Sequence, residues 1–403
     1  MKFLRTAPTR RLLAVLAGLV VAVAAGTAIA VAAGSGGPVP PPKPLSSAIH
    51  QALAAPTVTG ITAHIKFTNN LIPSSDLQGS DPILNGASGR LWITSDHRLR
   101  LELQSANGGG NDGELVVNQN SFWVYDPMAR TVYEGTLPSQ SAHQGTAKAG
   151  RDTLPSIAQI QSQLNQLASH LNISGAIPGD IAGQAAYTVR VSPKHDGGLL
   201  GAVQLGWDAL RGVPLRFSLY AKNSSTPVLE LTATNIHYGT VPASDLTTQP
   251  PAGTSVVKVS PPASSANGAH GNENDKHQDI TGAAAVAKRL SFPLVAPSKL
   301  VGLPRQSVQL LDWGGSPAAL VSYGQNLGGI AVIEQTASAT KAPATSSGDH
   351  GGLSLPTVSI NGASGTELST AIGTVLRFSR GGVTYIVLGS VPAVAAEAAA
   401  RAL

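Results

Sequence analysis

The chain has few residues at the spacings that covalent chemistry requires. It contains no G-x-S-x-G nucleophile turn, no G-x-x-x-x-G-K phosphate loop and no H-E-x-x-H zinc motif. Cysteine is absent, which excludes disulfides, thiolate metal sites and a lipid-modified N-terminal cysteine. His270 and His277, with Glu273 and Asp275 between them, could bind a metal weakly, but they lie in a polar run that we expect to be a solvated loop. The sequence therefore predicts no enzyme activity, no metal and no cofactor.

The amino-acid composition indicates the class of fold and excludes one class of partner. Only 12% of the 403 residues are charged, and the chain holds 44 glycines and 28 prolines. This favours β-rich structure with many turns and some linker over a helical bundle, in two or three domains. The formal net charge is +5, and no Lys/Arg run is longer than Arg10-Arg11, so nucleic-acid binding is not expected.

Apolar side chains at a spacing of two could instead bind a ligand by burying it. Leu91 and Ile93 alternate with polar neighbours, and so do Leu99, Leu101 and Leu103, which is typical of antiparallel strands with one apolar face. The stretch 122–125 (FWVY) is apolar on both sides. A strand of that kind must be covered on both faces, either by the chain or by a ligand.

Further elements surround this stretch. Residues 45–54 predict a short helix, and residues 61–67 alternate as a strand. Leu154 to Ile173 has the strongest helical pattern, because Ile157, Ile160, Leu164, Leu167 and Leu171 recur at helical spacing. From the pattern alone, this stripe is either ordinary core or a lid over a binding site. Strands then resume, and the following residues share faces within them: Tyr187, Val189 and Val191; Val203, Leu205 and Trp207; Leu215, Phe217 and Leu219; Leu229, Leu231 and Ala233.

The segments GRLWI (89–93) and ELVVNQNSFWVYDP (114–127) resemble the LolA-type lipoprotein-carrier family, with its "G-x-L-W" strand and "L-x-x-D-G-x-x-x-W-x-Y-x-P" hairpin. The segments AYTVRVSP, VQLGWDALRGVPLRFSLY, NIHYGTVPASDL and QPPAGTSV resemble its closing strands, its "D-x-x-x-G-x-P-x-R" turn and its final "P-P-x-G" segment, in the same order. The likeness extends over residues 45–257.

This resemblance implies an α+β fold in which an incomplete antiparallel β-barrel wraps around a helix lid and encloses an apolar cavity for lipid or lipoprotein acyl chains. The implied lining combines strand residues with the helical stripe. The candidate residues are Ile61, Ile65, Leu91, Ile93, Leu101, Phe122, Val124, Ile157, Ile160, Leu164, Leu167, Val189, Leu205, Trp207, Phe217 and Leu231.

One feature departs from the family pattern. Lipoprotein shuttles carry an arginine just after the "L-W" strand, and this chain has Thr94-Ser95-Asp96 there. This departure argues against a function in shuttling lipoproteins, and general lipid binding stays as the function that the resemblance implies. A different hypothesis is an RseB-like envelope-stress sensor, since such proteins join a LolA-like domain to a smaller C-terminal domain and bind a membrane-bound anti-sigma factor.

The N-terminal residues predict export. Lys2, Arg5 and Arg10-Arg11 precede an uncharged run from Leu12 to Ala33, which as a helix would be about 33 Å long, enough to cross a bilayer core of about 30 Å. The basic side should stay in the cytoplasm, which places the rest of the chain outside, next to the membrane surface. Ala28-Ile29-Ala30 offers a cleavage site, so both an uncleaved anchor and a secretory signal remain open.

The predicted organisation has five parts. Residues 1–34 form the signal or anchor, 35–44 a Pro-rich linker, 45–257 the LolA-like domain, 258–281 a flexible linker and 282–403 a C-terminal α+β domain. In the last of these we expect a short helix at 283–290, strands at 308–311, 319–323, 330–334, 358–360, 374–378 and 383–388, and a closing helix at 393–403. This domain loosely resembles modules at the extracytoplasmic ends of bacterial anti-sigma-factor and envelope proteins.

Overall fold

The computed structural model describes residues 37–73, 86–105, 112–127, 130–137, 154–195, 198–259, 280–313, 316–337 and 355–403. The predicted signal or anchor lies outside the described residues, as do His270 and His277 of the second predicted linker. No helix among the described residues is long and apolar enough to span a membrane. The described residues form two β-sheets, one from each half of the chain.

The first sheet has thirteen strands. They are β1 (Gly60–Asn69), β2 (Ala87–Thr94), β3 (Arg98–Ser105), β4 (Gly113–Asn118), β5 (Ser121–Asp126), β6 (Thr131–Thr136), β7 (Leu171–Ile173), β8 (Ile177–Ile181), β9 (Gln184–Pro193), β10 (Leu200–Asp208), β11 (Pro214–Ala221), β12 (Leu229–Tyr238) and β13 (Ser255–Val259). Their order is β13-β6-β5-β4-β3-β2-β1-β12-β11-β10-β9-β7, and β8 also pairs with β9. Every pair is antiparallel except β13 with β6, so the sheet is an incomplete, curled antiparallel barrel.

Among the described residues, three helices accompany this sheet: α1 (Leu45–Ala54), α2 (Ile157–Leu167) and α3 (Ala243–Leu246). The sequence predicted one helix from Leu154 to Ile173, and this is wrong at both ends. Ser156 forms a capping box with Gln159, which starts α2 later. Beyond Leu167 the chain extends as β7, because its backbone pairs with β9.

The second sheet has eight strands. They are β14 (Lys299–Leu300), β15 (Leu303–Trp313), β16 (Ser316–Tyr323), β17 (Ile330–Thr336), β18 (Thr357–Ile360), β19 (Ala363–Thr370), β20 (Gly373–Arg380) and β21 (Val383–Gly389), in the antiparallel order β14-β15-β16-β17-β21-β20-β19-β18. The helices α4 (Ala283–Ala287) and α5 (Ala393–Arg401) pack on it, and their buried alanines and Val286 join the apolar core. Helix α4 is shorter than the predicted 283–290.

A carboxyl group is buried in this second core. Glu334 of β17 is fully buried, and its Oε2 accepts a 2.8 Å hydrogen bond from the backbone N–H of Val295. Its Oε1 and the hydroxyl of buried Tyr323 find no hydrogen-bond partner among the described residues. Burial raises the pKa of Glu334 to about 7, although the Val295 bond acts in the opposite direction. Burial first, and the nearby Glu334 second, raise the pKa of Tyr323 to about 12.

The two sheets touch at one end of the first sheet. The backbone N–H of Leu199 donates to the carbonyl oxygen of Ser390 at 2.9 Å, and the N–H of Ala371 donates to the carbonyl of Leu71 at 2.8 Å. Ser390 Oγ also donates to the carbonyl of Ile372 at 2.8 Å. We call this the Ser390 end. The opposite end, where β10 finishes at Asp208 and β1, β9 and β11 begin, is the Asp208 end.

The Pro-rich segment 37–44 is docked on the first sheet. The sequence predicted a Pro-rich linker at 35–44, and its described residues 37–44 lie against the sheet. Pro40 is buried, and the hydroxyl of Tyr187 donates to the carbonyl oxygen of Pro41 at 2.6 Å. The ammonium of Lys43 lies 5.5 Å from the centre of the Tyr187 ring. We call residues 37–44 the strap.

Candidate functional site

One face of the first sheet is apolar across most of its strands. Directly paired residues project to the same face of a sheet, so the register identifies this face. From β1 it runs through the pairs Ala63–Leu91, Leu91–Leu101, Leu101–Leu115 and Leu115–Val124. The sheet thus carries a continuous row of aliphatic side chains from β1 to β5.

The other half of the sheet continues this face. Phe67 pairs with Leu231, Leu231 with Phe217, and Phe217 with Leu205. Leu205 then pairs with Val189 of β9. The candidate strand residues that the register brings to this face are Ile61, Ile65, Leu91, Ile93, Leu101, Phe122, Val124, Val189, Leu205, Trp207, Phe217 and Leu231.

Part of this face is sealed by α1. Trp207 is 5% exposed and Tyr187 is 1% exposed, and both pack with Ala48 of α1. Val189 and Leu205 pack against the same cluster. The candidates Trp207, Val189 and Leu205 are therefore covered by α1 and do not line an open site.

The face opens toward β5 and β6. Val124 and its direct partner Tyr133 are each 36% exposed, and Leu101, Leu115 and Phe122 are only half-buried. Large apolar side chains that lie contiguously and stay part-exposed mark a place where another apolar body packs. We call this surface of β2–β6 the trough.

Helix α2 shows the same incomplete burial. Ile160 is 4% exposed, whereas Ile157 is 44% and Leu167 is 51% exposed, and Leu164 is half-buried. The helix packs mainly on α1, and His50 Nδ1 of α1 lies 3.0 Å from the carbonyl oxygen of Pro155. Four members of the predicted lid stripe therefore lie on α2, whereas Leu171 lies in strand β7, and only Ile160 is buried.

The reverse face of the same strands combines paired charged side chains with three buried apolar ones, Trp92, Val116 and Val132. Arg100 forms ion pairs with Glu114 (2.7 Å) and Glu102. It also stacks on Trp92 at 5.0 Å and donates to the carbonyl oxygen of Asp245 in α3 at 3.0 Å. Two pockets of about 540 and 410 Å³ open on this face, with Glu102 and Gln104 in both. The apolar trough is thus an open surface, and these pockets are polar and lie on the other side of the strands.

The Asp208 end is held by one buried carboxylate. Asp208 Oδ1 accepts from the backbone N–H groups of Leu210 and Arg211, both at 2.8 Å. Its Oδ2 accepts from the hydroxyl of Tyr238 at 2.8 Å and from Arg211 Nη1 at 3.2 Å. Burial, followed by Asp208, raises the pKa of Tyr238 well above its usual value. The "D-x-x-x-G-x-P-x-R" segment therefore works as a structural clamp, with Gly212 at φ 67°.

Sequence reasoning missed several residues of the trough. Leu115, Val117 and Tyr133 project onto it, because they pair with Val124, Phe122 and Val124 respectively. Leu115 and Val117 alternate within β4, so a signal was available. For Tyr133 the sequence offers no such signal, because the apolar and polar positions of β6 do not alternate clearly.

No protein-family model and no curated protein matches the chain. Solved structures with some likeness include the MucA/MucB complex of Pseudomonas aeruginosa (17% identity, TM-score 0.39, covering 89% of this chain and 97% of that one) and MucB in complex with MucA(peri) (17%, 0.37, 89% and 95%). A LolA superfamily protein from Nitrosomonas europaea is 9% identical with TM-score 0.20, covering 51% of this chain and 98% of that one. Each is a similarity of fold, and none assigns a function to this chain.

Proposed function

We propose that this protein is an exported, non-catalytic binding protein that holds acyl chains in the trough. The observation that carries the proposal is the incomplete burial of large apolar side chains on two elements, the β2–β6 part of the sheet and helix α2. Val124 and Tyr133 expose 36% of their surface on the sheet, and Leu167 exposes 51% on α2. Burying these surfaces against a ligand would contribute about 0.8 kcal/mol for each methylene of the ligand, without any charged contact.

The charge distribution supports an apolar cargo. The trough-facing positions of β3 are Leu99, Leu101 and Leu103, whereas Arg100 and Glu102 face the other side and are paired with each other. A ligand in the trough would therefore meet hydrocarbon first. Headgroup recognition would have to come from the rim, so we expect acyl chains of several lipid classes to bind.

The test uses a pair of substitutions on one strand. Val124→Asp places a charge in the trough, and Ser121→Asp places the same charge at an exposed position of β5 on the opposite face. The titration measures binding of a dansyl-labelled fatty acid to the full chain. Val124→Asp should weaken binding at least tenfold, since a buried unpaired charge is costly, and Ser121→Asp should leave it unchanged.

Native mass spectrometry of the protein from its own envelope gives the complementary result. A stoichiometric adduct that extracts as a lipid supports the proposal and identifies the cargo. A bare mass, together with equal probe affinity for the two Asp variants, would refute it.

A second candidate is an RseB-like regulator that binds a membrane-bound partner. What favours it is the second sheet, a separate core whose contacts with the first, among the described residues, lie at the Ser390 end. A carrier that uses only the trough has no need for this sheet. A protein that takes up no lipid but co-purifies stoichiometrically with a single-span membrane protein would support the regulator, and loss of that partner on deletion of 282–403 would locate the contact.

A further inference from the structure

The strap brings the N-terminus to a defined point on the first sheet. A Cβ atom placed on Gly37 would lie 2.3 Å from Asp180 Oδ2, so the strap backbone is in contact with β8. Asp180 Oδ1 in turn accepts from the backbone N–H of Gly183 in the β8–β9 turn. The chain therefore enters the described structure at the Asp208 end.

The same end carries exposed leucines. Arg211 reaches Gln184 at 3.4 Å, next to that turn, and a Cβ on Gly212 would lie 2.4 Å from the carbonyl oxygen of Ala52. Leu210 and Leu53, the neighbours of Arg211 and Ala52 in sequence, are 43% and 52% exposed. Because these contacts link them to the point of chain entry, both leucines lie at the end of the sheet where the N-terminal segment leaves.

The intervening chain is very short. The uncharged run that predicts a membrane span ends at Ala33, and Gly37 is already held by the sheet. Three residues lie between them, so Ala33 and Gly37 can be at most about 14 Å apart when the chain is fully extended. Because the strap is docked, the distance between the predicted membrane span and the first sheet is much shorter than an undocked segment 35–44 would allow.

We propose that the Asp208 end of the first sheet is a membrane-docking surface, on which Leu53 and Leu210 enter the headgroup region of a phospholipid bilayer. Exposed apolar side chains near a cation are suited to that interface, and here Lys43 of the strap supplies the cation, because Arg211 is paired with Asp208. The proposal goes beyond ligand binding and does not depend on the trough. It fixes the orientation of the protein, with the second sheet at the end away from the bilayer.

The absence of native cysteine makes this orientation directly measurable. Single variants Leu53→Cys, Leu210→Cys and Leu355→Cys are labelled with the fluorophore NBD. Leu355 is a matched control, because it is 39% exposed and precedes β18 of the second sheet. The full chain is reconstituted into phosphatidylethanolamine/phosphatidylglycerol liposomes that contain a headgroup spin-labelled lipid as quencher.

We expect at least threefold stronger quenching, and a blue-shifted emission, at positions 53 and 210 than at 355. Equal quenching at all three sites, or stronger quenching at 355, would overturn the proposal.

A ten-residue Gly/Ser insertion between residues 36 and 37 tests whether the quenching depends on the short connection to the N-terminal segment. Quenching that persists at 53 and 210 supports a docking surface, and quenching that falls to the level of 355 refutes it. Because the fatty-acid titration is measured separately, failure of one proposal does not imply failure of the other.

Discussion

Replacing Glu334 by glutamine should abolish a large part of the pH dependence of the second sheet's stability. The carboxyl is fully buried, and its pKa is raised from 4.5 in the unfolded chain to about 7 in the folded protein. The folded state therefore binds a proton more tightly than the unfolded state. The resulting stabilisation is complete below pH 4.5 and is lost as the pH rises toward 7.

The size of the effect follows from the shift. One pKa unit corresponds to about 1.4 kcal/mol, so this shift corresponds to about 3 kcal/mol, most of which is lost between pH 5 and pH 8. In Glu334→Gln, the amide oxygen can still accept the hydrogen bond from Val295, and the side chain carries no charge at any pH. The variant should therefore be about as stable as the native protein at pH 5 and more stable at pH 8.

The assay must report on the second sheet alone. The full chain is equilibrated in urea at each pH and then labelled by a short hydrogen-exchange pulse at one fixed pH, with mass spectrometry of peptides covering β17 and β21. Glu367, whose pKa is also raised by burial, is present in both proteins, so the difference between them isolates Glu334. Tyr323→Phe is the control and should retain the pH dependence. Equal slopes for the native protein and Glu334→Gln would refute the reasoning.

Three further predictions concern the first sheet. Tyr238→Phe removes one hydrogen bond to the buried carboxylate of Asp208 and should lower the free energy of unfolding by about 1.5–3 kcal/mol in urea titrations; no change would mean that the clamp does not need this bond. Gly212→Ala should destabilise the same transition by at least about 1 kcal/mol, because the residue has a positive φ and its Cβ would meet a carbonyl of α1; a neutral effect would contradict the described turn. Leu167→Glu should weaken fatty-acid binding about fivefold or more, whereas Gln166→Glu, one residue off the stripe, should not; equal effects would remove α2 from the site.

The strands of the trough could be predicted because their signal is local. Leu99, Leu101 and Leu103 alternate with charged residues, and a half-buried strand requires that pattern whatever its partners are. In the second sheet, strands such as 330–334 and 383–388 were also anticipated within a few residues. β19 was missed, because its sequence ASGTELST offers neither β-branched alternation nor apolar content, and its place is fixed by pairing with β20.

The extent of burial could not be predicted in the same way. Trp207 and Val124 have similar sequence signatures, yet the first is sealed under α1 and the second is open. What separates them is the position of a helix more than a hundred residues away in the chain, and periodicity carries no information about that. The strap was unpredictable for the same reason, since its docking depends on the hydroxyl of Tyr187.

The parallel pairing of β13 with β6 has a consequence for how the first sheet is assembled. Strand β6 has a partner on one side as soon as β5 is made, but its outer edge is covered only by residues 255–259. A chain that emerges N-terminus first therefore carries an unpaired edge on β6 until the whole first sheet has been synthesised. Such edges recruit other strands, and closing them with a distant segment is slow because of the long loop. The first sheet is thus complete only when β13 has paired with β6. The half that carries the trough is therefore the last part of the sheet to be completed.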